Sequence, residues 1–100
     1  MGTVIGYARA ASTGSNLSQQ KATLLQAGCE TIFEETCSGI LPLVERTGLV
    51  AVLGNLRPGD TLVVCDMARL SRSLPCLTTV LADLKRGGIV LRVEGIKRDR

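Results

Sequence analysis

The sequence predicts an α/β fold of three layers, a mainly parallel β-sheet with helices on both faces. Three observations carry this. Short apolar runs alternate with stretches of helical period in the order β-α-β-α-β-α-β, the pattern of a parallel sheet. One run, "TLVVCDM" at 61–67, is apolar nearly throughout, as expected of a strand covered on both sides. The chain has 100 residues, 45% of them hydrophobic, which suits one compact domain over 1–100 with a real core. Tyr7 and Phe33 are its two aromatics, so that core must be aliphatic.

The elements follow in order. "TVIGYAR" (3–9) reads as the first strand. "STGSN" (12–16) is a turn leading into a helix, with Ser15 or Asn16 as cap. The helix covers "LSQQKATLLQA" (17–27), with Leu17, Leu24 and Leu25 on its buried side and Gly28 ending it. "CETIFEE" (29–35) is a second strand. "TCSGILPLVER" (36–46) holds Gly39 and Pro42, has no period, and is expected to be a loop. Leu49, Val52, Leu53 and Leu56 stand at i, i+3, i+4 and i+7, which predicts an amphipathic helix. "RPGD" (57–60) signals a turn before the strand at 61–67. Ser73 and Pro75 open another helix, striped by Leu74, Leu77, Leu81 and Leu84 and closed by Gly87–Gly88. "IVLRVEG" (89–95) is the last strand.

Composition narrows the function. The net charge of +3 is a mild bias toward anionic partners, far below that of a protein that coats nucleic acid. The N-terminal apolar stretch is short and carries Arg9, unlike a signal peptide, and no run approaches membrane-spanning length. Cys29, Cys37, Cys65 and Cys76 form no CxxC pair and histidine is absent, so no metal site and no cofactor are expected. Cys65 reads as a small buried hydrophobe. Reduced thiols and a cytoplasmic location are the expectation.

In open α/β sheets, ligands sit beyond the carboxyl ends of the strands. Arg9 to Ser12 and Asp66 to Arg72 fall at such ends. The stretch "GYARAASTG" (6–14) therefore raises the question of a nucleophile beside a phosphate-binding arginine. Arg9, Arg46, Arg69 and Arg72 stand near strand ends or in loops. Arginine offers a planar, permanently charged fork of donors suited to phosphodiester oxygens. Such a cluster can stabilise charge around phosphorus without a metal. The plainer alternative is that these arginines only solvate the surface.

"IGYAR", "NLxxQ", "LLQAGCETIFEETCSG", "LRPGDTLVV" and "RLSRS" together resemble the catalytic domain of the serine site-specific recombinases, the resolvase and DNA-invertase family. The resemblance implies a resolvase-type fold. It also implies a serine after the "YAR" strand that attacks the DNA backbone, forms a phosphoserine link and leads to recombination of mobile DNA. Arg9, Arg46 (in "ERTGL"), Arg69 and Arg72 match the arginines that bind the scissile phosphate.

Two departures stand out. The family pattern Tyr-x-Arg-x-Ser-Thr puts the nucleophile where this chain has Ala11, and its aspartate before "RLGRS" is Ala68 here. Ser12 is one residue late, and consecutive strand residues face opposite ways, so a bulge would be needed to aim it at the arginines. A turn or near-cap hydroxyl is its competing role. Asp66 could stand in for the missing aspartate, or merely be solvated at the strand end. Cys37 could be a thiol nucleophile, or pack. Family members continue into a long dimerisation helix and a helix-turn-helix, neither of which is visible in "GIKRDR".

Three functions are thus set out. One is a recombinase catalytic domain, degenerate at Ala11 and Ala68 or using Ser12. Another is a non-catalytic relative that binds DNA phosphates weakly, forms a homo-oligomer, or regulates an active recombinase by heterodimerising. Last is a generic α/β domain for a small phosphate ligand, which would lack the Gly-rich loop such sites use.

Overall fold

A computed structural model describes residues 2–10, 17–38, 40–41 and 45–94. Four parallel strands lie in the order β2-β1-β3-β4: β1 (Val4–Ala10), β2 (Thr31–Thr36), β3 (Thr61–Val64) and β4 (Val90–Val93). Helices α1 (Leu17–Gln26), α2 (Thr47–Asn55), α3 (Met67–Leu70) and α4 (Leu74–Arg86) connect them. The expected α/β class, the parallel pairing and the alternation of strands and helices along the chain are all present. The short α3 was not foreseen.

Alternation along β1 builds the layers. Ile5 and Tyr7 pack with Leu49 and Val52 of α2, Leu70 of α3, and Cys76, Val80 and Leu84 of α4. Ala8 turns to the other side, onto Leu24 of α1, Cys29, Val63 and Cys65. Helix α1 therefore covers one face and the remaining helices the other. Small residues on the α1 face let that helix approach closely. A Cβ on Gly6 would stand 2.9 Å from Cys29 Sγ and 3.1 Å from Leu24 Cδ1.

Glycine in the left-handed region closes two helices. Gly28 (φ +93°) ends α1 with Cys29 N donating to Leu24 O at 3.1 Å, and Gly88 (φ +74°) ends α4 with Ile89 N donating to Leu84 O at 2.9 Å. Both are the six-to-one bond that satisfies orphaned carbonyls.

Some expectations need correction. The third strand stops at Val64, not at 67, because the chain bends at Cys65–Asp66 and Asp66 caps α3, its Oδ1 accepting from Arg69 N at 3.2 Å. Leu25 is exposed, since it lies about 100° around the helix from the buried Leu24. The place expected for a third leucine is taken by Gln20, three residues after Leu17 and buried. Leu74, at the first turn of α4, is 73% exposed. The buried stripe of that helix is Cys76, Val80 and Leu84, at i, i+4 and i+8, with Leu77 and Leu81 partly buried beside it. Leu49 and Val52 are buried on α2 and Leu53 and Leu56 pack against the same core, as the spacing predicts. Cys65 is buried as expected. The proposed caps Ser15 and Asn16 lie outside the described residues. No helix among the described residues is long and apolar enough to cross a membrane.

Candidate functional site

The carboxyl ends of β1 and β3 meet α3 and the loop before α2, and there three of the four arginines converge. Arg9 sits on β1 two residues after Tyr7, so the two side chains share a face. The Arg9 guanidinium is buried, and each of its three nitrogens donates to a backbone carbonyl. Nε donates to Arg69 O at 3.1 Å, Nη1 to Cys37 O at 3.0 Å and Nη2 to Ala68 O at 2.7 Å. Arg46, also buried, precedes α2. Its Nη2 donates to Tyr7 Oη at 2.8 Å and Arg69 O at 3.1 Å, and its Nη1 donates to Leu70 O. One carbonyl, that of Arg69, thus receives donors from both buried arginines. Arg69 returns a bond, Nη1 to Arg9 O at 3.0 Å. Its Nε lies 3.6 Å from Asp66 Oδ2 and has no hydrogen-bond partner.

A helix of four residues has more free carbonyls than it can satisfy itself. The carbonyls of Ala68, Arg69 and Leu70 in α3 are claimed by Arg9 and Arg46, so the guanidinium pair is the C-terminal cap of that turn. Arg72 is separate: it is exposed and makes no ion pair or hydrogen bond among the described residues. Ala11 and Ser12 lie outside the described residues.

Opposite the arginines stands an acid that sequence reasoning missed. Glu35 is paired in register with Arg9 across β1–β2. Its Oε1 accepts from Tyr7 Oη at 2.5 Å and from Leu49 N at 3.1 Å, and its Oε2 from Gly48 N at 2.7 Å. The carboxylate thereby caps the first turn of α2, which no side chain of the preceding Arg46 does. It also sits 3.9 Å from Arg46 Nε. Gly48 is required here, since a Cβ would lie 2.8 Å from the Glu35 carboxyl carbon. The signal was available in the period of two that places Tyr7 with Arg9 and Phe33 with Glu35. Gln20 was missed too. Its Oε1 accepts from Arg9 N at 3.1 Å and its Nε2 donates to Arg9 O at 3.0 Å, holding the arginine's peptide from the α1 side.

Electrostatics follow from this crowding. Burial, then the bond to Glu35, push the Tyr7 phenol far above its ordinary value, so it stays protonated and can donate. Arg9 is lowered by burial and by the charge of Arg46. Burial works against Arg46 as well, but the bond with Tyr7 and the neighbouring Cys37 and Glu35 outweigh it. Burial, then Glu35, raise the Cys37 thiol, which disfavours the thiolate a nucleophile needs. Asp66, weighed as a replacement for the missing aspartate, caps α3 and pairs with Arg69. Among the described residues no group of three or more acidic, cysteine or histidine side chains could hold a metal ion.

The structure is a parallel α/β sheet with an arginine cluster at its carboxyl edge. Residues 4–100 match the model of the resolvase N-terminal domain, and the chain belongs to that family. It is 40% identical over 89 residues to the serine recombinase Gin of Escherichia phage Mu, covering 89% of this chain and 45% of that protein. It is 43% identical over 89 residues to a DNA-invertase of Escherichia phage P1, covering 89% of this chain and 47% of that protein. The chain thus spans under half the length of these relatives. A crystal structure of a serine recombinase from Sulfolobus solfataricus superposes with a TM-score of 0.78 at 22% identity, over 100% of this chain and 72% of that one, which shows the shared fold.

Proposed function

We propose that residues 1–100 form a single recombinase-type catalytic domain that engages DNA backbone phosphates but does not form a phosphoserine link. It would act as the cleavage-incompetent member of an oligomer, with copies of itself or with an active recombinase. The supporting observation is the convergence of Arg9, Arg46 and Arg69 at the carboxyl edge of β1 and β3. The family's nucleophile position is Ala11, whose methyl group cannot attack phosphorus, and Ala68 offers its carbonyl to Arg9 where the family pattern has a carboxylate as well.

Within the cluster, roles divide by exposure: Arg9 and Arg46 are buried, Arg69 is partly exposed and Arg72 is exposed. Arg9 and Arg46 have their Nη groups bonded to backbone carbonyls and Tyr7, so they would supply fixed positive potential and a rigid α3. Arg69, whose side chain is partly exposed, and the exposed Arg72 would make the direct phosphate contacts. Ser12, one residue beyond the family position, has no part in this scheme.

Two measurements test it. Fluorescence anisotropy with a labelled duplex should show weak binding that falls as salt rises, and Arg72→Gln should reduce the slope of log K against log salt by about 1. Binding that ignores salt overturns the phosphate role. On a nicked duplex that traps covalent intermediates, a denaturing gel should show no adduct with the natural chain and an adduct with Ala11→Ser/Ala68→Asp. An adduct from the natural chain that disappears in Ser12→Ala would replace this proposal with an active enzyme.

A further inference from the structure

The opposite edge of the sheet carries a cavity that the arginine site does not use. It measures about 490 Å³, is open to solvent, and is lined by Ile5, Phe33, Thr31, Asn55, Arg57 and Asp60 among others. That volume lies in the range of small-ligand sites. It faces the amino ends of β1 and β2. Ile5 and Arg9 are four residues apart on one strand, roughly 13 Å between their Cα atoms.

Its charges are arranged in an uncommon way. Arg57 and Asp60 line the same cavity with opposite charge and feel one another's field, yet among the described residues neither enters an ion pair within 4 Å. The turn between them fixes both. Pro58 and Gly59 (φ +94°) form its centre, Asp60 N donates to Arg57 O at 2.9 Å, and Gly59 N is tied to Gly88 O at 2.9 Å. Asp60 is held further by Thr3 N on Oδ1 and Arg57 N on Oδ2, both at 2.9 Å. Each carboxylate oxygen then has accepting capacity left. The Arg57 guanidinium makes no hydrogen bond among the described residues. Beside these charges lie two apolar side chains, the ring of Phe33 and the flank of Ile5. An anion alone would meet Asp60 and a cation alone would meet Arg57. A small molecule bearing both charges next to an apolar body satisfies every wall.

We propose that this cavity binds a zwitterionic α-amino acid with an apolar side chain. The carboxylate goes to Arg57, the ammonium to Asp60, and the side chain against Phe33 and Ile5. The cavity's lining shares no residue with the arginine cluster.

The test is titration of the isotope-labelled full chain with L-phenylalanine, followed by amide ¹H–¹⁵N shifts. Two single-charge analogues, 3-phenylpropionate and 2-phenylethylamine, run alongside. Saturable shifts should appear at Thr31, Phe33, Asn55, Arg57 and Asp60 and be absent at Arg9 and Arg69. Each analogue should bind on the order of tenfold more weakly, as expected for loss of one charged partner. Arg57→Gln changes an exposed side chain, so the fold is retained, and it should bring phenylalanine down to the affinity of 2-phenylethylamine. Absence of shifts up to the solubility limit overturns the proposal. So does equal binding of all three compounds, or phenylalanine binding unchanged by Arg57→Gln; Arg57 would then serve only to complement the carbonyl end of α2.

Discussion

Replacing Arg46 with methionine removes a guanidinium that holds together three parts of the chain while keeping most of its apolar stem. In the folded protein Arg46 donates to Leu70 O, Tyr7 Oη and Arg69 O, and its charge faces Glu35. After the change Arg69 O keeps Arg9, and Tyr7 still donates to Glu35, but Leu70 O loses the bond it receives from Arg46 and Glu35 loses its nearest buried cation. Hydrogen bonds to a charged group contribute about 1.5–3 kcal/mol each. Returning a guanidinium to water recovers part of that loss. Removing one partner of a buried pair has a net cost of about 3–5 kcal/mol. Against a typical total of about 5–15 kcal/mol, the variant is left marginal. At about 4–8 °C per kcal/mol for a domain of this size, Tm should fall by at least about 12 °C. Urea unfolding followed by far-UV circular dichroism measures this, with an unchanged slope showing that the unfolded state is comparable. Arg72→Gln, at an exposed residue, should stay within about 0.5 kcal/mol of the natural chain. An Arg46→Met variant that loses less than about 1 kcal/mol would refute the claim that this arginine supports the fold.

Two further outcomes follow. Gly6→Ala puts a methyl 2.9 Å from Cys29 Sγ and 3.1 Å from Leu24 Cδ1 and should cost about 1–3 kcal/mol, whereas Gly54→Ala, with open space around it in α2, should gain up to about 1 kcal/mol. Urea midpoints of the two variants with the same sign would contradict this packing. Asp60 is held below its ordinary value of 3.8 by the backbone N–H groups of Thr3 and Arg57. A depressed carboxyl contributes stability that is complete above its unfolded pKa and disappears as pH falls through the folded one. Asp60→Asn should therefore be less stable than the natural chain near neutrality and should close that gap as pH drops below about 4. A gap that stays constant with pH would show that ionisation of Asp60 plays no part.

The sequence made the layers readable because β1 and β3 are apolar and short, and because α2 keeps a clean period through Leu49, Val52, Leu53 and Leu56. It misled where apolar residues exceeded the buried positions. Leu25 and Leu74 look like core by type, but helical geometry turns them to solvent while Gln20 and Cys76 face inward. Helix α3 was hidden because four residues are too few to show a period. The arginines of the site were legible from their places at strand ends and in loops, and the resemblance gave them a common role. Their burial was not, since what buries them is a set of backbone carbonyls, and carbonyls are the same in every sequence. Glu35 was readable in principle, as it shares a strand face with Phe33, but its partners Gly48 and Leu49 lie 13 and 14 residues on.

That burial changes what the cluster can do. A phosphate-binding arginine is normally pictured as a free fork, yet Arg9 presents Nε, Nη1 and Nη2 to three protein carbonyls. For a phosphate to use these donors it would have to displace the α3 carbonyls and leave them unpaired, which costs about 1–3 kcal/mol each when buried. Charge, by contrast, acts without displacement. Arg9 and Arg46 raise the potential at the carboxyl edge while their hydrogen bonds stay intact, and they bind the segment that carries Arg69. Affinity for an anion should then depend on Arg69 and Arg72 through contacts and on Arg9 and Arg46 through field and fold. The two pairs separate experimentally: Arg72→Gln should weaken duplex binding with Tm unchanged, whereas Arg9→Met should lower both together. An Arg9→Met protein of natural stability that had lost duplex binding would show instead that Arg9 breaks from its carbonyls to hold the phosphate itself.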